Sequence, residues 1–177
     1  MSATRLFILG MLARGGPMHG HQIRRGAQED RTELWADVKP GSLYGALHRM
    51  AADGLIEAVR TEQEGNLPQR TVYGITQQGQ EELSALRLAI LRDSRIRTDP
   101  VDLALVYTDD MPRDELRELV QTRRDKFAAE HEGWRKLREE AAPHLVGLEP
   151  LGFDHTLMRL AAEIDWHDRL LDELGRR

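Results

Sequence analysis

The stretch that decides the fold is LWADVKPGSLYGALHRMAADGLI, residues 34–56. Lys39-Pro40-Gly41 makes a turn, a short amphipathic helix follows over residues 41–53, and Gly54 ends it in the manner of a C-cap before a strand begins. Leu43, Leu47 and Met50 stand at i, i+4 and i+7, so one stripe packs on a core while Tyr44, His48 and Arg49 project elsewhere. Ser42 is expected to cap this helix. The amides left over in its first turn, together with the helix dipole and the preceding Lys39, suit a phosphate oxygen. A turn followed by a short helix with one buried and one polar face is the pattern of a groove-reading recognition helix.

Working outward, residues 6–13 (LFILGMLA) form a mostly apolar run that Gly15-Gly16-Pro17 stops, which predicts a buried first helix. A second helix is expected over residues 22–27, with Ile23 inward and Arg24 and Arg25 outward, continuing weakly to Leu34-Trp35. After Gly54 the pattern changes: Ile56 and Ala58, then polar Arg60 and Glu62, a loop QEGNLP, and a second strand RTVY at residues 70–73. Three helices and such a hairpin are the elements of a winged helix-turn-helix with a two-stranded β wing. Thr76 opens a further helix, whose Leu83, Leu86 and Ala89 or Ile90 share one apolar face and which is expected to bridge two functional parts.

Asp99-Pro100 breaks that helix, and residues 101–107 look like a short buried helical piece. From Pro112 to about Ala141, the positions Leu116, Val120, Phe127, Trp134, Leu137 and Ala141 follow a seam of four and three residues, interrupted by Arg123 and Glu130. A second long helix carries Leu157, Leu160, Ala161, Ile164, Leu171 and Leu174 on its inner face, widened by Trp166 and Leu170. Two such faces exceed what the helices and a small N-terminal domain can cover, so self-association is expected. The predicted class is mainly α, with a winged helix-turn-helix DNA-binding domain at 1–80 and a coiled-coil-like helical dimerisation and effector arm at 81–177.

The 177-residue chain is 40% hydrophobic, enough for one ordinary core or a small domain with a helical appendage. No apolar run approaches the roughly 20 residues of a membrane span. The N-terminus lacks signal-peptide blocks, so no membrane partner and a cytoplasmic location are expected. With no cysteine there is no disulfide, thiolate metal site or cysteine nucleophile. The net charge of -5 runs against DNA binding, but the first 80 residues are nearly balanced and the acidic excess falls in the remainder.

Three blocks, ILGMLARGGPMHGHQIRR (residues 8–25), LWADVKPGSLYGALHRMAADGLI (34–56) and RTVYGITQQGQEEL (70–83), make the N-terminal half resemble the PadR family of bacterial winged-helix transcriptional regulators. The resemblance implies a homodimeric, often ligand-responsive repressor on double-stranded DNA whose long C-terminal helices cross to the partner. Position by position, it implies DNA contact for Lys39, Ser42 and Tyr44 and for Arg70 on the wing. Residues 21, 45 and 51–52 depart from the family pattern: His21 replaces a frequent Tyr, Gly45 a frequent Pro, and Ala51-Ala52 usual acidic residues. Gly45 costs the helix roughly 1 kcal/mol against Ala.

The DNA-facing set is therefore Lys39, Gly41, Ser42, Tyr44, His48, Arg49 and Arg70. Arg60 and Arg70 compete with pairing to Glu57 and Glu62 across the hairpin, and phosphate contact is favoured for Arg70 over Arg60. His19-Met-Gly-His21 invites a metal reading that lacks the three or four ligands a site needs, and MHG fits a helix entry better. His131, His144, His155 and His167 are taken as surface histidines. Trp134 and Trp166 are candidates to line an aromatic effector pocket between subunits, although plain core is the commoner role. No phosphate loop, nucleophile elbow or HExxH pattern is present, so neither catalysis nor a cofactor is expected. The alternative is a protein-interaction regulator that docks through the winged helix and acidic arm; a small-molecule-binding protein or enzyme ranks last.

Overall fold

Helix α1 (Ala3–Gly15) drives Ile8, Leu9 and Leu12 into the core, and Gly16, at φ 73, turns the chain into a two-residue strand β1 (Met18–His19). The computed structural model describes residues 3–36, 38–63, 69–96 and 98–176. Two compact units divide at 96/97, where the sequence reading placed the division at 80/81. The cause is α5 (Gln77–Arg92), whose Leu83 and Leu86 are buried in the N-terminal core.

Helix α2 (Gly20–Glu29) begins with a capping box. His19 Nδ1 accepts from the Gln22 amide at 3.1 Å, and Gln22 Oε1 accepts from the His19 amide at 3.0 Å. The helix does not run on to Trp35: Arg31 at φ 47 interrupts it, and α3 (Thr32–Trp35) is a separate turn. Thr32, fully buried, donates its hydroxyl to the Val38 carbonyl at 3.0 Å, with the Ala27 carbonyl at 3.3 Å. That hydroxyl ties the end of α2 to the turn that launches the next helix.

A 3₁₀ turn (Pro40–Ser42) leads into α4 (Leu43–Ala52), which buries Leu43, Ala46, Leu47 and Met50. Gly54, at φ 72, ends it: the Gly54 amide donates to Ala51 and the Leu55 amide to Met50, a Schellman motif that only glycine enters without strain. Strands β2 (Ile56–Glu62) and β3 (Arg70–Ile75) then pair antiparallel from Ile56 opposite Ile75 to Glu62 opposite Arg70, with an irregularity between Ala58 and Arg60. The expected loop at 63–68 lies, apart from Gln63, outside the described residues.

The expected two-stranded wing is present as β2 and β3, and β1 adds a third strand to give the order β1-β3-β2, because Met18 and His19 pair with Tyr73 and Val72. Two residues carry no alternation for a sequence reading to detect. Thr76 locks the wing to α5: its hydroxyl donates to the Gly54 carbonyl at 2.7 Å and accepts from the Gly79 amide at 3.0 Å, capping the helix. Beyond Leu86 the expected apolar face of α5 is exposed, Ala89 and Ile90 included.

In the second unit, α6 (Pro100–Val106) is capped by Asp99, whose Oδ1 accepts from the Val101 amide at 2.9 Å. It is not the buried piece expected, since Leu103, Val106 and Tyr107 are exposed. Helices α7 (Arg113–Ala141) and α8 (Glu149–Gly175) pack along their length. The seam is thin: of the apolar positions read from sequence only Val120 and Leu160 are fully buried, and Ala161 is exposed.

Gly79 sits where a Cβ would lie 2.0 Å from the Leu55 carbonyl oxygen and 2.8 Å from Ile75 Cγ1. Gly79→Ala is expected to destabilise the N-terminal unit by about 1–3 kcal/mol or more through overpacking, read as a lower midpoint in thermal or urea unfolding.

Candidate nucleic-acid interface

The inward face of α4 is saturated with Leu43, Ala46, Leu47 and Met50, so the helical period sends Tyr44, Gly45, His48 and Arg49 outward, and all four are exposed. Gly41, Ser42 and Lys39 are exposed at the turn before them. Among the described residues, the side chains of Lys39, His48 and Arg49 enter no ion pair or hydrogen bond, so two full cations stand at this face without a counter-charge.

Ser42 does not cap α4 through its side chain. Pro40 starts a tight 3₁₀ turn that already places Ser42 in αR backbone geometry, and its hydroxyl donates back to the Lys39 carbonyl at 2.8 Å. The first-turn amides of α4 thus have no side-chain cap, which leaves the positive end of the helix open to an anion. Tyr44, 43% exposed, lays its ring over Gly20: a Cβ there would come within 2.9 Å of Tyr44 Cε1 and 3.1 Å of Leu47 Cδ1. The glycine of the MHG motif is therefore the seat of the tyrosine, a link between two sequence blocks that neither block discloses alone.

On the wing, Arg60 pairs with Glu62 of its own strand. Arg70 stands opposite Glu62 in register, yet no ion pair joins them among the described residues. His19 is committed to its capping box, and its ring centroid is 6.0 Å from that of His21. Among the described residues no group of three or more metal-ligating side chains exists.

The helical unit holds a polar cluster that the sequence reading misplaced. His167, taken as a surface histidine, is completely buried. Arg123 Nε lies 3.1 Å from His167 Nε2, and His167 Nδ1 lies 2.7 Å from the Glu163 carbonyl. A guanidinium only donates, so in this arrangement Nε2 accepts and Nδ1–H donates. Arg123 also binds Asp99 Oδ2 at 2.5 Å and stacks over Phe127. The one clue available in the sequence was the interruption of the α7 seam by Arg123, which demanded a polar partner across it. The Val101 amide, followed by the Arg123 charge, holds the Asp99 carboxyl below its usual range.

Trp134 meets Phe153 edge-on at 5.7 Å, and Trp166 meets His167 edge-on at 4.7 Å. Their partners are fourteen residues apart on α8, about 21 Å at 1.5 Å per residue. A single cavity walled by both indoles is not what one protomer contains. Shallow surface depressions lie at Leu55, Gln78, Glu81, Glu82 and Ala85, and at Arg117, Glu118, Gln121 and Thr122; neither includes a tryptophan.

A three-helix core, a small sheet and an open, unpaired polar helix face followed by long paired helices define a winged helix-turn-helix protein of the transcription-regulator type. Residues 8–85 match the family described as Transcriptional regulator PadR-like family. No curated protein matches the chain by sequence. Solved structures similar in fold include Bacillus subtilis PadR in complex with operator DNA, at 22% identity and TM-score 0.74 over 98% of both chains. The same protein in complex with p-coumaric acid is similar at 20% identity and TM-score 0.75, over 98% of this chain and 99% of that one. The Vibrio cholerae virulence activator AphA is similar at 19% identity and TM-score 0.72, over 97% and 98%. Among the described residues no helix is long and apolar enough to cross a membrane.

The ion pairs of the helical unit carry a pH signature. Hydrogen bonding from Arg135 lowers the Glu132 carboxyl from 4.5 to about 2, and the Arg124 guanidinium lowers Asp168. Folded values below the unfolded ones give stability that is present above about 4.5 and is lost as the pH falls towards 2. Unfolding midpoints measured from pH 6 to 2 should therefore fall, and Glu132→Gln should flatten part of that fall by lowering the neutral-pH midpoint slightly while leaving the midpoint near pH 2 unchanged, the change being small because its pair is solvent-exposed.

Proposed function

We propose that this protein is a cytoplasmic, homodimeric transcriptional repressor that binds an inverted-repeat operator through α4 and the wing. The observation that carries the reading is the unpartnered, exposed face of α4 with its open positive end, set on a PadR-like domain. In this reading Lys39 and the first-turn amides at Gly41 and Ser42 hold a phosphate, Tyr44 hydrogen-bonds a second one, His48 and Arg49 face the groove, and Arg70 touches the flanking backbone.

Dimerisation is supported by what the helical unit leaves uncovered. Over the 29 residues of α7 only Val120 is buried, while Leu103, Val106, Tyr107, Leu119, Leu148, Leu151 and Met158 stay more than half exposed. A second copy covers such a surface and, by two-fold symmetry, presents two α4 helices to half-sites about one DNA turn apart. Effector control would act by favouring one arrangement of the two subunits, and only a difference in affinity between arrangements can shift the equilibrium off DNA. Given the separation of the indoles, an aromatic or apolar effector engages Trp134 or Trp166 at an intersubunit surface, not both within one protomer.

Footprinting on the DNA upstream of the coding region, at several salt concentrations, tests the reading. Protection of a two-fold symmetric site supports it; a folded dimer that binds DNA indifferently, with affinity vanishing as salt rises, favours a protein-docking regulator instead. Tyr44→Ala should weaken binding to every duplex by about tenfold and reduce the slope of log K against log salt by about one phosphate contact; unaltered binding would refute the assigned docking face.

A further inference from the structure

Gly45 sits near the start of α4, on its exposed face, where glycine costs about 1 kcal/mol against alanine. Nothing inside the chain requires it. Its φ is not positive, and a Cβ built on it would meet only Arg49 Nη1, at 3.4 Å, with no backbone or core atom in reach. Gly41, one turn earlier, would meet nothing within 4 Å. The two positions leave a strip of bare backbone on the leading part of the helix. A glycine on an exposed helix face with no packing neighbour leaves room for something outside the chain to come close to the backbone.

Arg49 lies along that strip. Helical side chains lean towards the N-terminus, and this one reaches back a full turn to bring its guanidinium over Gly45. It forms no hydrogen bond or ion pair among the described residues, and Ala51 and Ala52 supply no acid to draw it away. The planar fork is therefore available at the end of the helix that meets base edges in helix-turn-helix docking.

We propose that Gly45 is the point of closest approach between α4 and the DNA major groove, and that Arg49 reads a guanine there by donating two N–H groups to O6 and N7. The assignment rests on α4 being the groove helix. Gly45 is then a positioning residue, since it sets the depth at which Arg49 meets the base, and the helix stability it forgoes is exchanged for that depth. A side chain at 45 holds the helix out of the groove and lifts the fork from the base edge.

Selection of duplexes from a randomised pool by the full-length chain, followed by titration of the selected duplex and its single-base variants, tests this. The wild type should select a guanine in each half-site whose replacement weakens binding by about tenfold or more. Arg49→Lys should lose that discrimination while keeping the preferences at other positions, because an ammonium cannot donate bidentately. Gly45→Ala should melt higher than the wild type and yet bind the selected duplex about tenfold more weakly. A merely structural glycine would move stability and affinity in the same direction. If the wild type selects a sequence but Gly45→Ala binds it equally well, or Arg49→Ala keeps the guanine preference, the inference fails and the regulator reading stands. If the wild type selects no sequence at all, both fail together.

Discussion

The burial of one face of α4 is the constraint on which the rest of this molecule depends. Leu43, Ala46, Leu47 and Met50 close the core built by Ile8, Leu9, Leu12, Ile23 and Ala27, and a helix with that stripe inside has no freedom about which residues face out. Tyr44, Gly45, His48 and Arg49 are outward because the four apolar residues are inward. The elements before and after α4 serve the same end: Thr32 holds the turn that enters it, and the Schellman motif at Gly54 with the Thr76 hydroxyl fixes the exit. An exposed face held from both ends can be presented to a ligand without a further ordering cost.

The helical unit is organised on the opposite plan. Its pair of long helices buries little apolar surface and relies on polar ties: Arg123 to His167 and Asp99, Arg124 to Asp168, Arg138 to Asp154. Charged pairs of this kind are directional but contribute modestly where solvent reaches them, so the unit gains specificity of register more than stability. Its exposed leucines and valines are apolar surface that the unit itself leaves uncovered. A protein whose winged-helix unit is well packed and whose helical unit is lightly packed can change the second without unfolding the first.

Much of the winged helix was legible because its signals are local. Gly54, Thr76 and the Leu43-Leu47-Met50 spacing each announce a cap, a helix start or a face by chemistry confined to one turn. What escaped was non-local or too short to carry a period: β1, whose two residues become a strand only because β3 lies beside them, and Gly20, whose reason is a tyrosine on another helix. Ser42 misled because a residue type favoured at helix starts was read without the Pro40 turn that redirects its hydroxyl. His167 misled for the converse reason, since a histidine on a mixed helix face has no sequence mark that distinguishes burial beside an arginine from exposure.

The sequence by itself determined the main helices, the inward stripe of α4, the wing and the match of residues 8–85 to a PadR-like family, because periodicity, capping and turn chemistry act over a few residues. Tertiary structure alone decided which polar groups are partnered. Glu62 spends its charge on Arg60 and not on Arg70, Arg123 is drawn onto His167 and Asp99, and among the described residues Lys39 and Arg49 have no counter-charge. Pairing is settled by distances of about 3 Å between atoms brought together by the whole fold, and a linear chain does not contain those distances.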